Sequence, residues 1–362
     1  MDDIKYMKMA LTLAGLAKER TYPNPMVGAV IVKNGKVIGK GYHRRAGGDH
    51  AEVSAIKDAG IKCRRADMYV SLEPCDHYGK TPPCTKAIIS SGIKKVIIAI
   101  KDPNPINSGR GIKKLAKAGI LTKVGVCKDE AESFLRKYIK FITKNLPYVT
   151  LKLAQSVDGK IAAADGSSKW ISGERSRQYV RRLRSGFDAV MVGSNTVVND
   201  DPLLFGTLKG KEYITRIVVD STLKLPFESK LLKTADKGNV IIGTTVSVKN
   251  TKLSRLTRIK NVDVIVCGRK NKKVDLKDFF LKLAERGIVN VLVEGGGELA
   301  GSLFDEKLVD EVLFFISPKI IGGGYSSVKG RGAGHISKAL DLKDMRIKRI
   351  GDDFLIKGTV SQ

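Results

Sequence analysis

The chain has 362 residues, which at roughly 100–200 residues per domain predicts two domains. Its 42% hydrophobic and 28% charged content suits a globular protein with a real core, and no apolar run approaches the ~18 residues of a membrane-spanning helix. Lys and Arg (65) outnumber Asp and Glu (37), giving a net charge of +28, but the lysines are scattered, so charge alone does not single out nucleic acid over small phosphorylated anions.

Met1-Asp2-Asp3 has neither the basic nor the apolar region of a secretory signal, and five cysteines are an odd number in a long chain. Both point to a cytoplasmic protein without a disulfide framework. Apolar residues at helical spacing (Met7, Ala10, Leu11, Ala14, Ala17) predict an opening helix over 4–18. Thr21-Tyr22-Pro23-Asn24-Pro25 ends it, and the two prolines hold Asn24 in a stiff loop. Runs 27–32 and 36–42 predict a hairpin about Asn34-Gly35. A helix over 50–58, a strand over 68–72, a helix over 85–91 and a strand over 96–100 follow, then a helix over 112–118, a strand over 121–126 and a helix over 130–144. This alternation predicts an α/β fold, a three-layer sandwich with a mixed sheet. Asn145-Leu146-Pro147 is the boundary, giving domains 1–145 and 146–362. In the second, strands are predicted over 148–154, 189–192, 217–220, 240–243, 262–267, 289–293 and 312–316, with a closing pair over 346–350 and 354–358. Helices over 176–184, 279–286 and 299–304 lie between several of them, making a second α/β domain.

His50-Ala51-Glu52, Pro74-Cys75 and Cys84 carry the chemistry of the first half. One imidazole and two thiolates make three zinc ligands, leaving a fourth position for water. Zinc brings that water's pKa to about 7, so hydroxide exists at neutral pH. Glu52 is then placed to take the water's proton and hand it to a leaving amine. His-x-Glu followed by Pro-Cys and a second Cys is the pattern of zinc deaminases, in which the Glu is not a ligand. A structural zinc site would need a fourth protein ligand, for which His77 is the candidate. The two cysteines are separated by eight residues instead of two, and an insert carrying His77, Lys80 and Thr81 beside a zinc water is placed to touch substrate.

Residues 21–29 (TYPNPMVGA), 50–53 (HAEV) and 73–84 (EPCDHYGKTPPC) resemble the deaminase half of the bifunctional riboflavin-biosynthesis deaminase/reductase family. The resemblance implies a cytidine-deaminase-like fold and hydrolytic deamination of 2,5-diamino-6-ribosylamino-4(3H)-pyrimidinone 5′-phosphate. It implies that Asn24, His43, His77 and Lys80 contact base or phosphate. Asp102-Pro103-Asn104-Pro105 also matches a family stretch; by itself it reads as a proline turn.

In the second half, Val289–Val293 runs into Glu294-Gly295-Gly296-Gly297 and a helix, where bare N–H groups can approach phosphate. Residues 151–162 (LKLAQSVDGKIA), 168–171 (SKWI), 193–202 (GSNTVVNDDP), Asp220-Ser221 and 293–301 (VEGGGELAG) are similar to the reductase half of the same family. That similarity implies a dihydrofolate-reductase-like fold, NADPH as cofactor and reduction of the ribosyl group of 5-amino-6-(5-phosphoribosylamino)uracil to ribityl. It places Ala154, Trp170, Thr196, Asp200, Ser221, Gly296, Gly297, Glu298, Leu299, Ala300, Gly301 and Ser302 at NADPH. It places Lys152, Ser168, Arg184, Leu204 and Glu294 at the substrate, with Glu294 first and Lys152 second as proton donor. The family's Arg five residues after the Pro of Asp200-Asp201-Pro202 is Thr207 here, which leaves Lys209, Lys211 or the 176–184 helix to hold phosphate. The expected protein is a bifunctional zinc- and NADPH-dependent enzyme acting on phosphorylated pyrimidines, a homo-oligomer without nucleic-acid or membrane partners. The competing readings are a tRNA-type deaminase fused to a reductase-like domain and a zinc-stabilised scaffold without activity.

Overall fold

A computed structural model describes residues 2–17, 21–79, 81–207, 214–247 and 250–361. The chain divides into two units, Met1–Asn145 and Leu146–Gln362, each with its own core.

The first unit runs α1 (Asp2–Gly15), β1 (Gly28–Lys33), β2 (Lys36–Tyr42), α2 (Ala51–Ala59), β3 (Asp67–Leu72), α3 (Cys84–Ser90), β4 (Lys95–Ile100), α4 (Arg110–Lys117), β5 (Leu121–Val124) and α5 (Lys128–Lys144). Asn34 and Gly35 both take positive φ, as a two-residue hairpin turn requires, and β1 and β2 pair antiparallel around them. The sheet order is β2-β1-β3-β4-β5, with β3, β4 and β5 parallel. β1, β3 and β4 are buried along nearly their whole length because helices cover both faces. Glycines let the helices approach. A Cβ on Gly28 would stand 2.0 Å from the Ala10 carbonyl oxygen of α1, and one on Gly41 would stand 2.2 Å from the Ala51 carbonyl oxygen of α2. Gly28 pairs with Tyr42 and Gly41 with Ala29, so the two glycines face opposite sides of the sheet and α1 and α2 form separate outer layers. The first turn of α2, with Glu52, is thereby pressed onto the sheet.

The second unit runs β6 (Tyr148–Ser156), β7 (Lys160–Ala163), α6 (Glu174–Arg184), β8 (Ala189–Gly193), α7 (Ser194–Asp200), β9 (Thr215–Val219), α8 (Lys230–Lys233), β10 (Val240–Thr244), α9 (Thr251–Leu256) and β11 (Val262–Val266). It continues through β12 (Arg269–Lys270), β13 (Lys273–Val274), α10 (Leu276–Glu285), β14 (Asn290–Val293), α11 (Gly297–Asp305), β15 (Glu311–Ser317), β16 (Gly324–Ser326), β17 (Leu342–Ile350) and β18 (Asp353–Val360). Nine strands form one sheet in the order β11-β10-β9-β8-β14-β6-β15-β18-β17. From β11 to β15 every pairing is parallel; β18 and β17 close the edge antiparallel. The carboxyl ends of β6, β8, β9 and β14 therefore open on one side, where ligands of open α/β sheets bind.

The strands and helices expected from periodicity are present, with ends shifted by a few residues. The short elements were not read from the sequence. β7, β16 and the β12–β13 hairpin are two to four residues each, too short for an alternating pattern. α7, formed by Ser194–Asp200, reads as a polar loop because Asn, Thr and Asp dominate it.

Candidate active sites

Three side chains converge in the first unit. His50 caps the N-terminus of α2 without spending its ring on the cap, so the imidazole is free to turn toward the cysteines. Its Nδ1 lies 3.1 Å from Cys84 Sγ and 3.6 Å from Cys75 Sγ. All three donor atoms lie within 4.8 Å of one another. Cys75 follows β3 and Cys84 opens α3, and the Cys84 N–H donates to Cys75 Sγ at 3.3 Å. Donation from the Cys84 thiol, then from His50, holds Cys75 near pKa 4 and pushes Cys84 up; the imidazole is raised by the same contact. One imidazole nitrogen and two sulfurs turned toward one another suit a zinc ion. His77 is not in the group, which among the described residues comprises three candidate donors.

Glu52 is 3% exposed, and its burial pushes the carboxyl up to about 7, with the Cys75 thiolate adding to the shift. A bound cation would pull it back down. His43 is 2% exposed; its Nδ1–H donates to the Asp49 carbonyl at 3.0 Å, which leaves Nε2 to face the Asn24 amide at 3.4 Å. Burial lowers its pKa, so this ring is neutral. The rings of His43 and His50 stand edge to face, 5.1 Å apart. His77 Nδ1 is buried without a partner, as a group awaiting substrate would be. Lys80 lies outside the described residues.

Two supports were not legible beforehand. Thr81 Oγ1 sits 3.3 Å from His50 Nε2, the ring nitrogen that points away from the sulfurs, and so orients the ligand. Glu73, buried, accepts the backbone N–H groups of Asp102 (3.0 Å), Gly109 (2.9 Å) and Ile112 (3.2 Å). Asn107, also buried, donates to the Pro74 carbonyl and accepts the Asp76 N–H at 3.0 Å, while the Tyr138 hydroxyl donates to Asp102 at 3.0 Å. The Asp102-Pro103-Asn104-Pro105 stretch is thus part of a brace that fixes the backbone on both sides of Cys75. Its signal in the sequence is the Asn following at 107, within reach of its own turn.

In the second unit a cavity of about 1100 Å³ opens at the strand ends. Thr196, Asp200, Ser221, Gly296, Gly297, Glu298, Leu299 and Ser302 line it, together with Ser168, which was expected on the substrate side. The N-terminus of α11 carries no side-chain cap, and a Cβ on Gly296 would meet nothing within 4 Å. Uncapped N–H groups beside open space suit a pyrophosphate, and the volume suits a dinucleotide. Ala154, Trp170, Ala300 and Gly301 do not line this cavity. Ala300 packs in the core, and a Cβ on Gly301 would meet the Lys329 carbonyl at 2.1 Å, so these two serve close packing under the site. Trp170 is 61% exposed with the Arg177 guanidinium 4.4 Å from its ring centre.

Arg184, at the end of α6, grips Glu294 with two parallel bonds of 2.6 and 3.0 Å, and these side chains are only 16% and 10% exposed. Val293 pairs with Leu151, so Glu294 and Lys152 come next to each other on neighbouring parallel strands. Burial alone would raise the Glu294 pKa, but Arg184 and Lys152 pull it below its ordinary value. Burial lowers that of Lys152, with Glu294 opposing. Leu204 is only 3% exposed and packs into the core instead of lining an open pocket, and its neighbour Phe205 gives its carbonyl to Arg184 at 3.1 Å. Thr207 donates its N–H to Ser185. Lys209 and Lys211 lie outside the described residues.

The chain matches the family model described as RibD C-terminal domain over residues 147–356 and that of the cytidine and deoxycytidylate deaminase zinc-binding region over residues 1–100. It is 43% identical to the riboflavin biosynthesis protein RibD of Aquifex aeolicus, over 98% of this chain and 97% of that one. Among solved structures it is similar to Acinetobacter baumannii RibD (33% identity, TM-score 0.87, covering 100% and 99% of the two chains). A diaminohydroxyphosphoribosylaminopyrimidine deaminase/5-amino-6-(5-phosphoribosylamino)uracil reductase from Thermotoga maritima is equally similar, at 35% identity and TM-score 0.86, covering 99% of each chain.

Proposed function

The chain belongs to the RibD family of riboflavin-biosynthesis proteins, and from that premise we propose how its residues divide the work. It is a bifunctional enzyme, a zinc-dependent deaminase and an NADPH-dependent reductase acting in sequence on phosphorylated pyrimidines. Residues 1–145 carry the deamination of 2,5-diamino-6-ribosylamino-4(3H)-pyrimidinone 5′-phosphate. Residues 146–362 carry the reduction of the ribosyl group of 5-amino-6-(5-phosphoribosylamino)uracil. The observation that carries the first assignment is the convergence of His50, Cys75 and Cys84 beside a buried Glu52.

His50, Cys75 and Cys84 hold the zinc ion, which when bound makes water nucleophilic at neutral pH. Glu52 takes the proton of the attacking water and passes it to the departing ammonia. His43, Asn24 and His77 bind the pyrimidine, with Lys80 on its phosphate. In the reductase, NADPH when bound supplies the hydride. Arg184 holds Glu294 ionised at the sugar, and a carboxylate so held has no proton of its own to give. We therefore take Lys152, ahead of Glu294, as the proton source, with the Glu294 carboxylate supporting the Lys152 ammonium.

The test is to supply the diaminopyrimidine phosphate with and without NADPH. Ammonia is expected to appear without NADPH, and NADPH oxidation to begin only after it. Tight tRNA binding with no turnover of the free pyrimidine would overturn the reading in favour of a nucleic-acid deaminase.

The protein is placed in the cytoplasm, in keeping with five free cysteines; no helix among the described residues is long and apolar enough to cross a membrane. It is assigned as a homo-oligomer. Support comes from β17, an edge strand exposed along nearly its whole length with Met345 53% and Ile347 67% exposed, a template for pairing with a second copy. A monomer mass by light scattering at micromolar concentration would remove that assignment.

A further inference from the structure

The dinucleotide cavity has a direction. Its chemical end lies at β6 and β14, where Lys152 and Glu294 stand, and the α11 N-terminus follows Glu294 directly. In the sheet, β8 and then β9 lie on the far side of β14 from β6. An extended dinucleotide with its nicotinamide at Glu294 and its pyrophosphate at α11 must therefore run its adenosine toward the end of β9, at Ser221.

A basic hairpin stands at that end. β12 and β13 pair Lys270 with Lys273, and Asn271 and Lys272 between them both take positive φ, the geometry of a tight two-residue turn. The hairpin is tied to β9, since the Val274 N–H donates to Ser221 Oγ at 3.0 Å and Val274 is itself buried. Lys272 is thus held at the cavity wall on a rigid turn, and Lys224, three residues past Ser221, lines the same wall. Most other cations there are already matched with carboxylates. Lys273 and Lys329 share Glu298 (3.2 and 3.8 Å), Lys270 meets Glu306 (3.3 Å), Lys169 meets Asp200 (4.0 Å) and Arg331 meets Asp305 (3.6 Å). Among the described residues no carboxylate lies within 4 Å of Lys224 or Lys272 in an ion pair. Lys224 acts on Glu298 only beyond ion-pair distance, so a wall of close pairs with two ammonium groups outside them, beside the adenosine ribose, is complementary to one more dianion.

We propose that Lys224 and Lys272 select NADPH over NADH by binding the adenosine 2′-phosphate, with Ser221 and the β12–β13 turn holding them in place. The proposal rests on assigning the cavity to NADPH. NADH would present a neutral hydroxyl there and leave both ammonium groups without a close anionic partner. The matched pairs around Glu298 also have a purpose in this arrangement. Without Lys273 and Lys329, the Glu298 carboxylate would repel the phosphate that its neighbours attract.

The experiment is direct titration of the full chain with NADPH, NADH, adenosine 2′,5′-bisphosphate and ADP, followed by calorimetry. The variants are Lys272→Asn, which keeps a residue tolerant of the left-handed turn, and Lys224→Gln. Each is expected to raise the Kd for NADPH and for the 2′,5′-bisphosphate about tenfold. The Kd for NADH and ADP should move by less than about twofold. The double variant should also lose the steeper salt dependence of NADPH binding relative to NADH. Equal weakening of NADPH and NADH, or unchanged NADPH affinity in the double variant, would overturn the selection by these lysines while leaving the cavity assigned. Failure of the unaltered protein to bind either dinucleotide would overturn both.

Discussion

Glu52→Gln is expected to lower ammonia release by about 10²–10⁴-fold while the protein keeps its zinc. Glutamine has nearly the shape of glutamate but cannot carry the proton from the attacking water to the leaving amine. The metal should stay, because the three ligands converge without Glu52. The side chain is 3% exposed, so the substitution also removes a buried carboxyl whose burial had pushed it up to about 7, and folding should not suffer. The chain provides its own control. Given the deaminated pyrimidine and NADPH, the variant should reduce it at the unaltered rate, since the reductase residues belong to the other unit. Zinc is measured by release to a chromophoric chelator, and ammonia by a coupled assay. Unchanged ammonia release with zinc in place would sink the proton-shuttle role and leave a metal-stabilised scaffold as the better account.

The contrast between the two sites shows what a sequence can carry. The His50–Cys75–Cys84 group was legible because a metal site demands particular atoms, and because each residue sits at the end of a strongly patterned element: His50 before α2, Cys75 after β3, Cys84 at the start of α3. Thr81 and the Glu73–Asn107 brace were not legible. A hydroxyl or a carboxylate meeting backbone N–H groups from 29 to 39 residues away leaves no local pattern. In the reductase, the glycines before α11 were visible, but the roles of Ala300 and Gly301 were not, because a residue under a cavity and a residue lining it follow the same motif. The β12–β13 hairpin was hidden for a different reason. Its strands are two residues long, and its lysines blend into a chain with a net charge of +28. The Arg184–Glu294 pair was not legible either, because Arg184 is 110 residues from Glu294 and appears in the sequence as one of five arginines on a polar helix.

The proposed role of Lys152 as proton source yields the second large effect. Lys152→Met should lower the reduction rate at saturating NADPH by about 10²–10⁴-fold, with ammonia release unaffected. The pH profile of the remaining chemistry then separates Lys152 from Glu294. A proton donor must be protonated, so the rate is lost as pH rises through its pKa. For Lys152 burial brings that limb below the lysine's ordinary 10.5. For Glu294, whose pKa the Arg184 fork and Lys152 hold below the ordinary 4.5, a donor role would confine activity to strongly acid solution. Glu294→Gln sharpens the distinction. It removes the negative charge that supports the Lys152 ammonium and leaves the opposing Arg184 charge in place, so the Lys152 pKa must fall further. The variant should therefore be slower, and its alkaline limb should move to lower pH. The measurement is the single-turnover rate of NADPH oxidation against pH, with the deaminated pyrimidine supplied. An alkaline limb that stays in place or moves upward in Glu294→Gln would show that Lys152 does not supply the proton. A limb that moves downward ties the Lys152 ammonium to the carboxylate beside it, with Arg184 present to keep that carboxylate ionised.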